Sequence, residues 1–331
     1  MDLRTKINPV PSEERITYET PVMFTGSCFA AEMGEMLSGG RMKTLVNPFG
    51  VLYNPASVAR QFEALMSGYT FSKEDLICHN GKYLSLDHGT GFSNRDPVSV
   101  LDQINMKTKM AAEFLGDAGF LFITFGTARV FRWNKTGRIV SNCHKIAPDN
   151  FTRELLSVEA VAESWISLLK KLKEFNPGIN VIFTVSPVRH WKDGAHGNQV
   201  SKAVLLLAIE KIIEAIDFAG YFPSYELLLD DLRDYRFYSA DMLHPTTLAA
   251  DYIGAFFRET FFDIKTIQIF REVSSIALAG KHRTAGMDTD DIAGFSRIML
   301  GKISILQEKY PFVNLSGDRN YFESLTEGKR V

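Results

Sequence analysis

Residues 21–40, PVMFTGSCFAAEMGEMLSGG, decide how the chain is read. Val22, Met23 and Phe24 make a short apolar run, and Thr25-Gly26-Ser27 follows it. From there Phe29, Ala30, Met33, Met36 and Leu37 recur at helical spacing until Gly39-Gly40. The pattern is a strand, a tight glycine turn and a helix. A helix N-terminus carries unpaired N–H groups and the positive end of a dipole. A Ser placed there can attack a carbonyl while its own N–H receives the oxyanion that forms. It can equally be an ordinary N-cap, and this stretch alone leaves both readings open.

Working outward, Phe120–Phe125 (FLFITF, closed by Gly126) and Ile179–Val185 (ended by Ser186-Pro187) are continuous apolar runs. Such runs suit strands buried on both faces of a parallel sheet. Helical spacing is expected over residues 57–67, 98–115, 157–175 and 199–218, with a strand-like piece around Tyr225–Leu229. Asp241-Met-Leu-His244-Pro245 then opens a helix through Phe262. Small hairpins are expected at Asn80-Gly81 and within Trp133–Val140, and the two Asn-Pro pairs of NPFGVLYNP (47–55) specify a turn-rich loop.

Strands and helices therefore alternate from 21 to 262, which predicts an α/β layer fold with a mainly parallel central sheet. Sites in such sheets form at the carboxyl ends of strands. Ser27, Gly126, Ser186 and the Asp241–His244 turn all follow strand-like segments and can converge there. Residues 1–20 read as an extended polar lead-in. Residues 264–331, with helical patterns over 264–279 and 289–309 and no strand, read as a C-terminal helical extension of a domain spanning 1–263.

The bulk properties exclude more than they assign. With 45% hydrophobic and 23% charged residues among 331, there is little room for a disordered majority. A formal net charge of -2 advertises neither nucleic acid nor an anionic membrane as partner. MDLRTKINPV lacks the apolar core of a secretory signal, and no stretch is long and apolar enough to span a bilayer. Cys28, Cys78 and Cys143 are odd in number and scattered, which argues against a disulfide framework. A soluble, cytoplasmic protein is expected.

Asp241 and His244 are the second chemical signal. A carboxylate three residues before an imidazole, on a turn entering a helix, can reach Nδ1–H and leave Nε2 free to take a proton. The plainer alternative has His244 capping the helix and Asp241 in solvent. Cys28, also at the helix start, is a rival nucleophile, because a thiolate there has a lowered pKa. Only one of two adjacent helical residues can face the site. Arg189 and His190 follow a strand end and can bind a carboxylate, phosphate or sugar hydroxyl, and His88 lies in the loop DHGTG (87–91). No two histidines have HxxxH or HxH spacing, so neither metal nor cofactor is expected.

Five motifs occur in order: TGSCFA (25–30), NPFGVLYNP (47–55), TFGTARVF (124–131), TVSPVRH (184–190) and LRDYRFYSADMLHP (232–245). Over roughly residues 20–260 they resemble the GSCFA domain family, a branch of the SGNH/GDSL hydrolase superfamily. The resemblance implies a three-layer α/β/α, flavodoxin-like fold and a serine esterase, with Ser27 as nucleophile, His244 as base and Asp241 as orienting acid. It implies an oxyanion hole from the Ser27 N–H, a Gly N–H for which Gly50 is the candidate, and an Asn side chain from a GxN motif. Here the sequence departs: Gly126-Thr127-Ala128 has Ala where that Asn belongs, leaving either Gly126 or Thr127 to substitute or a hole of only two donors. The expected substrate is an O-acylated carbohydrate or small metabolite. Acyl transfer by the same residues and a non-catalytic binding or scaffold role are the alternatives, the C-terminal helices being the candidate surface for homo-oligomer contact.

Overall fold

The computed structural model describes residues 4–280 and 289–326. Parts of the lead-in (1–3) and of the expected extension (281–288 and 327–331) lie outside the described residues. The chain divides into two compact units. The first comprises 1–8, 21–34 and 44–256, and the second 9–20, 35–43 and 257–331.

The first unit is built on β1 (Val22–Gly26), followed by helix α1 (Cys28–Gly39) and strand β2 (Thr44–Val46). Helix α2 (Pro55–Ser67) leads to a small antiparallel sheet of β3 (Leu76–His79), β4 (Lys82–Ser85) and β5 (Ser93–Asn94). Helix α3 (Pro97–Asp117) returns the chain to β6 (Phe120–Phe125). A second small sheet, of β7 (Arg129–Trp133), β8 (Arg138–Val140) and β9 (Phe151–Leu155), precedes helix α4 (Val158–Phe175) and strand β10 (Asn180–Val185). Helix α5 (Gly194–Ala215), strand β11 (Ala219–Tyr221), the short helix α6 (Ser224–Glu226) and helix α7 (Thr247–Phe261) complete the order.

The central sheet runs β11-β10-β6-β1-β2 and all its pairings are parallel. Counting only these five strands by position in the chain, the order is 2-1-3-4-5, the flavodoxin-like arrangement. Every residue of β1 and β6 is buried, as continuous apolar runs demand. One face of the sheet, with Met23, Leu121, Ile123, Val181 and Phe183, packs against α2 to α5 through Phe62, Leu115, Trp165 and Ile209. On the other, Phe24 and Phe122 stack at 5.0 Å between centroids, and Gly34 of α1 lies against Phe24 and Val46. This is the three-layer α/β/α fold, with C-terminal helices following it.

The hairpins form where the turn residues demand them. Asn80 (φ 51°) and Gly81 (φ 72°) give the mirror-image turn that joins β3 to β4. Leu84 and Leu86 pack with Trp133 and Val140, so the two small sheets share one apolar cluster.

Three expectations are corrected. The strand near Tyr225–Leu229 is instead Ala219–Tyr221, paired with Val181–Phe183, while residues 224–232 are helical with a π-helical turn at Leu227–Leu232. A short apolar run reads alike as buried strand or buried helix, and Tyr225, Leu227 and Leu228 are buried on the helical alternative. Thr44–Val46, where no strand is expected from the sequence, is an edge strand because β1 offers it backbone partners. The helix expected from Asp241 starts at Thr247, since residues 237–246 form a hydrogen-bonded loop.

The second unit contains α8 (Ile264–Gly280), α9 (Thr289–Lys309) and α10 (Ser316–Thr326). Part of the lead-in belongs here too: Ile16 and Tyr18 are buried, and Ile16 N–H donates to Phe261 O at 2.7 Å. Arg41 holds the Asp318 carboxylate through both Nε and an η nitrogen, and Gly40 lies against Phe270.

At Gly26 the backbone takes φ +124°, and a Cβ there would sit 2.1 Å from the Thr124 carbonyl oxygen. Gly26→Ala is therefore expected to lose about 2–6 kcal/mol, summing backbone strain and overpacking. Urea unfolding measures it, and a loss below about 1 kcal/mol contradicts the close approach.

Candidate active site at the strand carboxyl ends

In a 2-1-3-4-5 sheet the chain leaves β1 and β6 toward opposite faces, and ligands bind in the crevice outside that switch point. Gly26-Ser27 ends β1 and Phe125-Gly126 ends β6, so both lie on its rim. Ser27 stands at the N-cap of α1, its carbonyl accepting from Ala30 N–H and its Oγ from Phe29 N–H at 3.3 Å. The hydroxyl is 1% exposed with the rest of the residue.

The NPFGVLYNP loop grips the same turn from the β2 side. Asn47 Oδ1 accepts from Gly26 N–H at 2.8 Å, and Leu52 N–H donates back to Gly26 O at 2.8 Å. Asn47 has φ 43° and Gly50 φ 82°, conformations that Asn and Gly tolerate best. The backbone donors around the crevice already have acceptors: Ser27 N–H on Thr124 O, Gly50 N–H on Asn47 O, and both Gly126 and Thr127 N–H on Tyr53 O. The Thr127 hydroxyl pairs with Ser201 Oγ at 2.9 Å. By contrast Asn47 Nδ2 is buried without a partner.

Asp241 and His244 meet. Asp241 Oδ2 lies 2.6 Å from His244 Nδ1, and its other oxygen accepts the N–H groups of Leu243 and His244. Those two backbone donors, with the imidazole, hold the Asp241 carboxyl down to about 2. Met242 at φ 60° lets the loop fold tightly enough for this contact. The pair is about half exposed, and no hydrogen bond joins His244 to Ser27 among the described residues.

Arg189 lines a cleft of about 570 Å³ with Trp191, Tyr235, Tyr238, Asp241 and Leu243, and its Nε is buried without a partner. His190 packs edge-on to Tyr53 at 5.4 Å and beside Gly126, and burial pushes its imidazole down to about 4. His88 is enclosed by Phe49, Phe71 and Phe92, with Nδ1 on Ser85 Oγ at 2.9 Å, and it does not line that cleft. A larger groove of about 850 Å³ along α2 and α4 holds neither Ser27 nor the Asp241–His244 pair. The Cys28 thiol is pushed up by burial, which outweighs the nearby helix N–H groups and the Lys202 charge. That favours the neutral thiol over the thiolate a cysteine nucleophile needs.

Two residues escaped sequence reasoning. Lys202 is fully buried, its Nζ donating to Gly126 O at 2.8 Å and Ser186 O at 2.7 Å, and desolvation pushes it down to about 7. It ties the ends of β6 and β10 together. Within the helical run SKAVLLLAI nothing marks it from a solvated lysine. Asn47 carried a signal, an Asn-Pro pair in the loop beside the Gly26-Ser27 turn, but that pair reads first as a turn former. Among the described residues no three His, Cys, Asp or Glu side chains gather as metal ligands. No helix among them is long and apolar enough to cross a membrane.

Fold and site define an α/β protein of the flavodoxin-like type, with a serine at its switch point and a carboxylate–imidazole pair on a loop before α7. The chain belongs to the GSCFA family, whose family model matches residues 21–257. No curated protein matches it. Among solved structures, one similar chain is an acetyl xylan esterase from the rumen bacterium Butyrivibrio proteoclasticus, at 13% identity and a TM-score of 0.36. That match covers 73% of this chain and 64% of the other, so this chain spans less than two thirds of that protein's length.

Burial pushes His88 down to about 3 from an ordinary value of 6.5. Between those values the unfolded state binds more protons than the folded state. Stability therefore falls as pH drops through the window, by up to about 1.4 kcal/mol per pH unit from this group. Urea unfolding from about pH 7 down to 5 should lose stability less steeply in His88→Gln than in the parent. Equal slopes in the two proteins contradict a buried neutral imidazole.

Proposed function

We propose that this protein is a serine esterase of the SGNH type, cleaving an O-acyl group from a carbohydrate or small metabolite. The observation that carries the reading is the 2.6 Å contact between Asp241 Oδ2 and His244 Nδ1. It fixes the imidazole tautomer and leaves Nε2 as a base.

Ser27 Oγ attacks the ester carbonyl while His244 Nε2 takes its proton, and Asp241 stabilises the imidazolium that results. The tetrahedral oxyanion collapses, the C–O bond to the alcohol breaks, and His244 returns the proton to the departing oxygen. Water deprotonated by His244 then releases the acyl group and restores Ser27. The mechanism needs Nε2 within hydrogen-bonding reach of Ser27 Oγ, a contact that hydrolases commonly tighten only around substrate. Arg189 and the exposed faces of Trp191 and Tyr235 support a sugar or other hydroxyl-rich alcohol in the adjoining cleft.

A second reading has one observation in its favour. Ser27 Oγ accepts from Phe29 N–H and Ser27 N–H donates to Thr124 O, the bonds of an ordinary helix cap. A non-catalytic ligand-binding protein on the same fold needs no more.

Fluorophosphonate labelling and p-nitrophenyl acetate turnover separate the two. Under the esterase reading Ser27→Ala abolishes both signals, and His244→Gln lowers kcat by about 10²–10⁴-fold. Labelling and turnover missing from the parent favour the binding protein, and a signal that survives Ser27→Ala unchanged removes Ser27 as the nucleophile.

A further inference from the structure

Resting on the esterase reading, we infer that the Asn47 side chain is the donor that stabilises the oxyanion at Ser27. This places the donor in the loop after β2 and not after β6, where Ala128 stands.

The inference begins with the commitments of the other groups. Tetrahedral intermediates need donors aimed where negative charge develops. The N–H groups of Ser27, Gly50, Gly126 and Thr127 each already donate to a carbonyl of the chain. The Thr127 hydroxyl pairs with Ser201 Oγ and also accepts from Arg129 N–H. Ala128 N–H donates to Ser201 Oγ at 2.8 Å. An ester oxygen entering the crevice meets backbone that is satisfied before it arrives.

Asn47 differs in kind. Its Oδ1 accepts from Gly26 N–H at 2.8 Å, so the residue immediately before the nucleophile orients the carboxamide. The amide cannot be flipped without facing one donor with another, which settles which end is nitrogen. That nitrogen is buried and has no partner. An amide NH₂ withdrawn from water and left unpaired is costly, and in native proteins such a group calls for a functional account. The backbone holds it in place: Asn47 N–H donates to Phe24 O, extending the β1–β2 pairing, and Asn47 O accepts from Gly50 N–H. The carboxamide is thus tied to β1 at two points, one of them the residue before Ser27, and has little freedom to move relative to that strand.

In the chemical step the bond from Ser27 Oγ to the carbonyl carbon forms and the carbonyl π pair moves onto oxygen. Asn47 Nδ2–H donates to that oxygen through the tetrahedral stage, and the pair returns as the bond to the alcohol breaks. No proton leaves Asn47.

Asn47→Asp is the decisive variant, because it keeps an oxygen for Gly26 N–H, suits the same positive φ, and replaces the donor by an acceptor. Asn47→Gly keeps the backbone conformation and removes the whole side chain. Both are expected to lower kcat by about 10²–10³-fold, with KM within about threefold of the parent. Asn47→Asp keeps the Gly26 clamp but buries a carboxylate oxygen, so its thermal unfolding midpoint falls, and kcat of both variants is read at a temperature where each is shown folded. Parent-like kcat in Asn47→Asp overturns the assignment, and if that variant does not fold, parent-like kcat in Asn47→Gly does so. A fall confined to KM also overturns it. If the parent shows no turnover that depends on Ser27, the esterase reading fails, and the assignment with it.

Discussion

The structure around the site depends on a backbone contact that only glycine permits. Gly26 crosses the Thr124 carbonyl so closely that a methyl group has no room, and this lets β1 hand the chain to α1 without a loop. Ser27 consequently lies at the end of a central strand and at the start of a helix, on the crevice where the doubly wound sheet changes direction. The loop at 47–52 then grips Gly26 from its other side, by Asn47 Oδ1 on its N–H and Leu52 N–H on its carbonyl. The turn is a fixed object, held by β6 on one side and the β2 loop on the other.

A fixed turn has consequences for polarity. At the carboxyl edge of a parallel sheet the strand carbonyls run out of partners, and buried backbone must find others. Here Lys202 supplies them for Gly126 and Ser186, and Tyr53 O collects the N–H groups of Gly126 and Thr127. Among the buried side-chain donors without a partner, three stand near that edge: Asn47 Nδ2, Asn198 Nδ2 and Arg189 Nε. Each lies in a segment that follows a strand of the central sheet or on the helix after β10. The Asp241–His244 pair has the opposite character. It is formed by a local turn, is half exposed, and is held in register by the N–H groups of Leu243 and His244.

The parts legible from residue order were those set by local chemistry. FLFITF and the run from Ile179 read as buried strands and Asn80-Gly81 as a tight hairpin turn, and all three form as read. The three-residue spacing of Asp241 and His244 put them within reach of one another, and the tight loop with Met242 at φ 60° brings them into contact. Two of the errors share one cause. The strand expected near Tyr225 and the unforeseen strand at Thr44–Val46 are short apolar pieces whose conformation follows from whichever neighbour offers a partner.

Residue order by itself determined the alternation of strand and helix and the glycine ahead of Ser27, and it set Asp241 and His244 one turn apart, since each is a property of adjacent residues. Tertiary structure alone decided which N–H groups are committed to which carbonyls, and it placed Lys202 and Asn47 where they lie. Those are matters of partnership across distant segments. A lysine in an apolar helix and an asparagine before a proline look ordinary until folding shows what each can and cannot reach.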